Sequence, residues 1–100
     1  MELRIAYRHL ESTPSLEEKI RTKTLKLKKF FRGKISVDWV CSVEKDAHHS
    51  EVTVSGDHFK YHASSAGENL YKTIDGALQK LARQLEKKKD QVTEKIHKSV

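Results

Sequence analysis

Lys80, Arg83 and Lys87 are spaced three and four residues apart, the interval at which side chains of an α-helix share a face. With about 1.5 Å of rise per residue, their charges stand roughly 5 and 6 Å apart along the axis. Consecutive phosphates of a nucleic-acid strand are spaced similarly, although many basic helices share this interval. Lys88 and Lys89 add charge toward the C-terminal end, where the helix macrodipole favours cations. A second run holds Lys19, Arg21, Lys23, Lys26, Lys28, Lys29, Arg32 and Lys34, with no acidic residue between Lys19 and Lys34. Like charges at i, i+3 and i, i+4 repel, and a helix that needed only solubility would interleave glutamate. The chemistry on offer is contact with a polyanion. A solvated helix face with ordinary capping charges is the other reading of the same stripes.

Other chemistries find less support. His48 and His49 are adjacent, so on a strand they point to opposite sides. His58 and His62 are about 13 Å apart at 3.3 Å per strand residue, too far for one ion. No nucleophile elbow, Gly-rich phosphate loop or spaced carboxylate pair occurs, so neither an enzyme nor a metal or other cofactor is expected. Asp75 neighbours the core residue Ile74 and reads as a structural ion-pair or hydrogen-bond partner. Cys41, the single cysteine, reads as core packing and suits a reducing compartment. Exposed aromatics are few, which speaks against base stacking on a sheet. The net charge of +6 leaves nucleic acid or an anionic membrane surface as partners. The membrane is the weaker of these, because no apolar run approaches the ~20 residues of a span. The N-terminal MELRIAYRHLE lacks a signal pattern, so a cytoplasmic protein is expected.

The elements that must position these cations follow from periodicity. Leu70, Ile74, Leu78, Leu81 and Leu85 form the apolar stripe of a helix that Asn69 is placed to cap. Leu16, Ile20, Leu27 and Phe31 mark an earlier helix, opened by Ser12 or Thr13 with Pro14, reaching about Phe31 and closed by Gly33. Alternation predicts strands over Glu2–Tyr7, Ile35–Val43, Glu51–Ser55 and His58–Ser64, with Glu44–His49 as a hairpin loop. The order β-α-β-β-β-α predicts a two-layer α+β sandwich: a four-stranded mixed sheet with two helices on one face. The first two strands are expected to be parallel and the last three an antiparallel meander. Arg4, Ser36, Asp38, Thr53, His58, Lys60 and His62 are then the open sheet face. The two helices should lie side by side and present their basic stripes as one surface.

Within this frame, the run from Glu44 to Asp90 resembles the short ribosome hibernation-promoting factors and the similar ribosome-associated inhibitor. His62–Ser64 (HAS), Leu70–Asp75 (LYKTID) and Lys80–Leu85 (KLARQL) carry most of the likeness, which extends more loosely over residues 1–90. The resemblance implies a fold similar to double-stranded-RNA-binding domains. It also implies binding to 16S rRNA of the small ribosomal subunit, between head and body, where tRNA and mRNA pass at the decoding region. Translation in stationary or stressed cells would be silenced by occupancy, in competition with mRNA and tRNA. By position, Lys80, Arg83, Lys87 and Lys88 on the last helix, and Lys23 and Lys26 on the first, are its expected RNA-binding residues. Residues 1–90 are expected to form the ribosome-binding domain and 91–100 a helix extension or disordered tail. A monomer off the ribosome is expected, and the pairing of ribosomes should need a second hibernation factor. A general structured-RNA-binding module or a ribosomal protein is the alternative.

Overall fold

Each strand has one apolar side, and that side alone decides which way the sheet turns. In a computed structural model, β1 (Glu2–Arg8), β2 (Ser36–Glu44), β3 (Ala47–Ser55) and β4 (Lys60–Gly67) form one sheet in the order β1-β2-β3-β4. The structure describes the backbone of residues 1–98 and the side chains of residues 1–87. β1 and β2 are parallel, and β2, β3 and β4 are antiparallel, as alternation and connection length require. The register aligns Ile5, Trp39, Val52 and Ala63 in one inward row, with Leu3, Val37, Val54 and Tyr61 beside it. Two helices cover this side: α1 (Pro14–Leu25) and α2 (Leu70–Lys98). Leu16 and Ile20 from α1, and Ile74, Ala77, Leu81 and Leu85 from α2, close the core. Full burial of such an aliphatic side chain is worth about 1.5–3 kcal/mol each.

Capping follows the sequence. The Thr13 hydroxyl accepts a hydrogen bond from the Leu16 amide at 3.1 Å, and Pro14 begins α1. The Asn69 side chain accepts from the amides of Tyr71 (2.9 Å) and Lys72 (3.3 Å), which opens α2. The Thr24 hydroxyl donates to the Ile20 carbonyl and accepts from the Trp39 indole N–H at 3.0 Å, joining α1 to β2 inside the core.

Four local expectations are corrected. The first helix ends at Leu25 instead of Phe31, and Lys26–Phe30 is a 3-10 turn. The tighter winding keeps Leu27 buried and releases Phe31 in extended backbone, where its ring stacks on Phe59 at 5.0 Å. Gly33 lies beyond the cap residue Phe31, and its φ of +88° bends the chain into β2. The hairpin loop shrinks from Glu44–His49 to Lys45 and Asp46, with φ of 50° and 64°. Two central residues with positive φ match the twist of the flanking strands, so Glu44 pairs with Ala47 and both histidines join β3. β4 starts at Lys60 and runs to Gly67, which leaves His58 in the preceding turn instead of on the open face.

The open face otherwise carries the expected polar row. Arg4, Asp38, Thr53 and His62 are aligned across all four strands. Arg4 Nε donates to Asp38 at 2.7 Å, and Thr53 Oγ1 is 2.9 Å from His62 Nδ1.

Candidate nucleic-acid interface

The apolar stripe of α2 fixes which way every other side chain on that helix points. Its two flanks meet different neighbours. On one, Asp75 sits between Lys19 and Lys23 of α1, with N–O distances of 3.4 Å to each. Lys19 also stands over the Tyr71 ring, 5.1 Å from its centroid. Asp75 therefore clamps the two helices together, the structural role its position suggested.

On the other flank α2 follows β4, the edge strand. Lys80 Nζ donates to the Ser64 carbonyl and Gln84 Nε2 to the His62 carbonyl, both at 2.9 Å. Four helical residues rise about 6 Å, and two strand residues span about 6.6 Å. The two side chains thus reach successive outward carbonyls of β4 and protect an edge that could pair with another chain. Gly76 permits the close approach, since a Cβ there would stand 2.6 Å from Ser65 Oγ.

This arrangement sorts the expected RNA-binding residues. Lys26, Lys80, Arg83 and Lys87 are exposed. Lys23 is half-buried at the helix seam and shares Asp75, while Lys80 is held against β4. The stripes of the two helices are consequently separated: Lys23 and Lys26 lie on the α1 side of α2, Lys80 on its β4 side. Arg83, on the crest, lies between the two flanks. The basic surface wraps over α2, with Asp75 inside it. The side chain of Lys88 lies outside the described residues, as do residues 99 and 100, while the backbone of 91–98 continues α2. Periodicity missed Gln84 as a clasp, although its place one turn after Lys80 was visible.

A groove of about 380 Å³ runs between the 3-10 turn and α2. Lys26 and Lys29 stand on one bank and Gln79 and Glu86 on the other, over Leu78 and Ala82, and the Lys23–Asp75 ion pair also lines it.

Among the described residues, no group of three or more His, Cys, Asp or Glu is placed to hold a metal ion, and no helix is long and apolar enough to cross a membrane. Cys41 is buried, and burial pushes its thiol pKa up against the opposing pull of the Ser50 hydroxyl. A thiol so placed is a poor nucleophile. The Tyr7 hydroxyl is buried and has no hydrogen-bond partner among the described residues. Burial first, then Glu17 and Cys41, push its pKa up to about 12. Because the folded value lies above the unfolded one, this contribution to stability is intact below about pH 10 and is lost as pH rises toward 12. Tyr7→Phe should be neutral or slightly stabilising near pH 7 and flatten that alkaline loss, read by urea denaturation at several pH values. An unchanged alkaline loss in the variant would acquit Tyr7.

The family model of the Sigma 54 modulation protein / S30EA ribosomal protein matches residues 3–93. The ribosome hibernation promoting factors of Salmonella typhimurium and Escherichia coli strain K12 are each 39% identical over 92 residues, covering 92% of this chain and 97% of theirs. That of Klebsiella oxytoca is 36% identical over the same coverage. In structure, the chain is similar to the N-terminal domain of Thermus thermophilus Protein Y, with a TM-score of 0.80 at 22% identity. The match covers 87% of this chain and 98% of that one. A ribosomal subunit interface protein from Coxiella burnetii matches with a TM-score of 0.70 at the same identity and coverage. The sequence reading of a non-enzymatic protein acting in ribosome hibernation and translation regulation agrees with these relatives. With a family model matched from end to end of the folded core, the chain belongs to the Sigma 54 modulation protein / S30EA ribosomal protein family, that of the ribosome hibernation promoting factors.

Proposed function

We propose that this protein silences translation by occupying the small ribosomal subunit where mRNA and tRNA pass, held by its 16S rRNA. The carrying observation is the exposed cations Lys26, Arg83 and Lys87 on the helix layer, opposite a sheet face of mixed charge on which Arg4 pairs with Asp38. Phosphate contacts of this kind position a protein on folded RNA without reading its sequence. Family membership supports the ribosome as the RNA-bearing target. Cytoplasmic location in stationary or stressed cells, a monomeric state off the ribosome, and a second factor for ribosome dimers belong to the same reading. A folded domain of residues 1–90, with 91–100 as its extension or tail, completes it.

Occupancy makes inhibition stoichiometric and reversible. Titrated into a translation assay of known ribosome concentration, the protein should inhibit in proportion to ribosomes bound. Excess initiator tRNA and mRNA should displace it and restore translation by mass action. Inhibition far below one protein per ribosome, or ribosomes that stay inactive after washing, would refute occupancy. On a sucrose gradient the protein should travel with small subunits or idle ribosomes and leave polysomes. Presence in polysomes would favour a ribosomal protein.

A further inference from the structure

We infer that the groove between the 3-10 turn and α2 accepts one unstacked nucleobase of the bound RNA, an inference that rests on the proposed rRNA contact. Its chemistry is divided in three. The walls are apolar, formed by half-buried Phe30, Leu78 and Ala82 over buried Leu27. One bank is cationic, with Lys26 and Lys29 exposed. The other bank carries the Gln79 amide and the Glu86 carboxylate. A phosphate alone has no use for apolar walls and is repelled by a carboxylate. A nucleotide matches all three parts: flat faces for the walls, a phosphate for the lysines, and polar base edges for the amide and carboxylate. At about 380 Å³ the groove is of a size that takes a small planar group.

Lys29 supplies the means of opening it. Its ammonium stands 5.2 Å from the centroid of the Phe30 ring, held by the ring's negative face. A phosphate arriving beside Lys26 and Lys29 attracts that ammonium more strongly than the ring does. The ring face is then released to a base at the moment the phosphate binds. Base–aromatic contact tolerates any base, so any preference among bases falls to the Gln79 amide and the Glu86 carboxylate.

Base-specific and backbone chemical probing of small ribosomal subunits, with affinity measured alongside, tests this. The wild-type protein should shield one base and the flanking backbone. Ala82→Leu fills the groove without changing charge, and Gln79→Ala removes an exposed side chain on which folding does not depend. Both should restore reactivity at that base while backbone protection persists, with affinity lowered roughly tenfold for the leucine variant. The slope of affinity against salt should not change, since no phosphate contact is lost. Wild-type affinity and an identical base footprint in both variants would overturn the inference. So would a weaker affinity accompanied by a shallower salt slope, which would report phosphate contacts alone. If Ala82→Leu lowers the thermal midpoint, Gln79→Ala decides. A wild-type protein that fails to bind subunits at all sinks the proposed function itself, a result visible before any variant is made.

Discussion

Raising salt from about 50 to 200 mM is expected to weaken binding to small subunits by roughly three decades, as for a protein that neutralises six or more phosphates. The exposed cations of the helix layer supply most of that term. Lys26→Ala, Arg83→Ala and Lys87→Ala should each cost about 1 kcal/mol or more in binding. The thermal midpoint should move little for these three, because exposed charges contribute little to folding. Lys80→Ala is expected to behave differently. Its ammonium holds the Ser64 carbonyl on the β4 edge, so that variant should lose some stability together with affinity. Lys23→Ala also leaves Asp75 with one fewer partner at the helix seam. Filter binding across a salt series, with melting curves beside it, separates these classes. A flat salt dependence would dispose of the polyanion reading, and charge variants that unfold the domain while still binding would disprove the face assignment.

Trp39→Ala should destabilise the domain by about 3–5 kcal/mol, the range for deleting a large aromatic side chain from a packed core. Trp39 is 1% exposed at the centre of the inward row, and its indole N–H is the link to Thr24 of α1. Since native domains have total stabilities of about 5–15 kcal/mol, the variant should lose a large fraction of its stability. Trp39→Phe keeps most of the volume and loses the hydrogen bond, and should cost about 1 kcal/mol beyond the smaller cavity. Urea midpoints measure both. Retention of near wild-type stability by the alanine variant would mean that the sheet does not pack on α1 through this row. Folded Trp39→Phe should bind subunits normally, because the residue touches only the interior.

The strand and helix order, the inward residues and the N-caps were legible because each depends on a short local pattern. Alternation needs only neighbours two apart, and a helical stripe only neighbours three or four apart. Leu70, Ile74, Leu81 and Leu85 are buried as their spacing requires, and Thr13 and Asn69 cap as their side-chain chemistry requires. Element ends were less legible. The end of α1 depends on Phe59, almost thirty positions away, which draws Phe31 out of the helix. The hairpin shortened because Lys45 and Asp46 take up positive φ, which the strand twist rewards and their residue types do not announce.

For the candidate interface, the sequence by itself determined the number and helical phase of the cations, because composition and a 3.6-residue period need no tertiary partner. Only the tertiary structure decided how each one is used. Lys80 and Arg83 are indistinguishable in sequence pattern and both exposed, yet Lys80 reaches down to the Ser64 carbonyl and Arg83 stands on the crest of α2. Lys23 and Lys26 come from one run, yet Lys23 meets Asp75, a residue 52 positions away in the chain, and Lys26 lines a groove opposite Gln79. The physical reason is reach. A lysine ammonium is placed by whatever carbonyl, carboxylate or ring lies within its few ångströms, and those neighbours come from other elements.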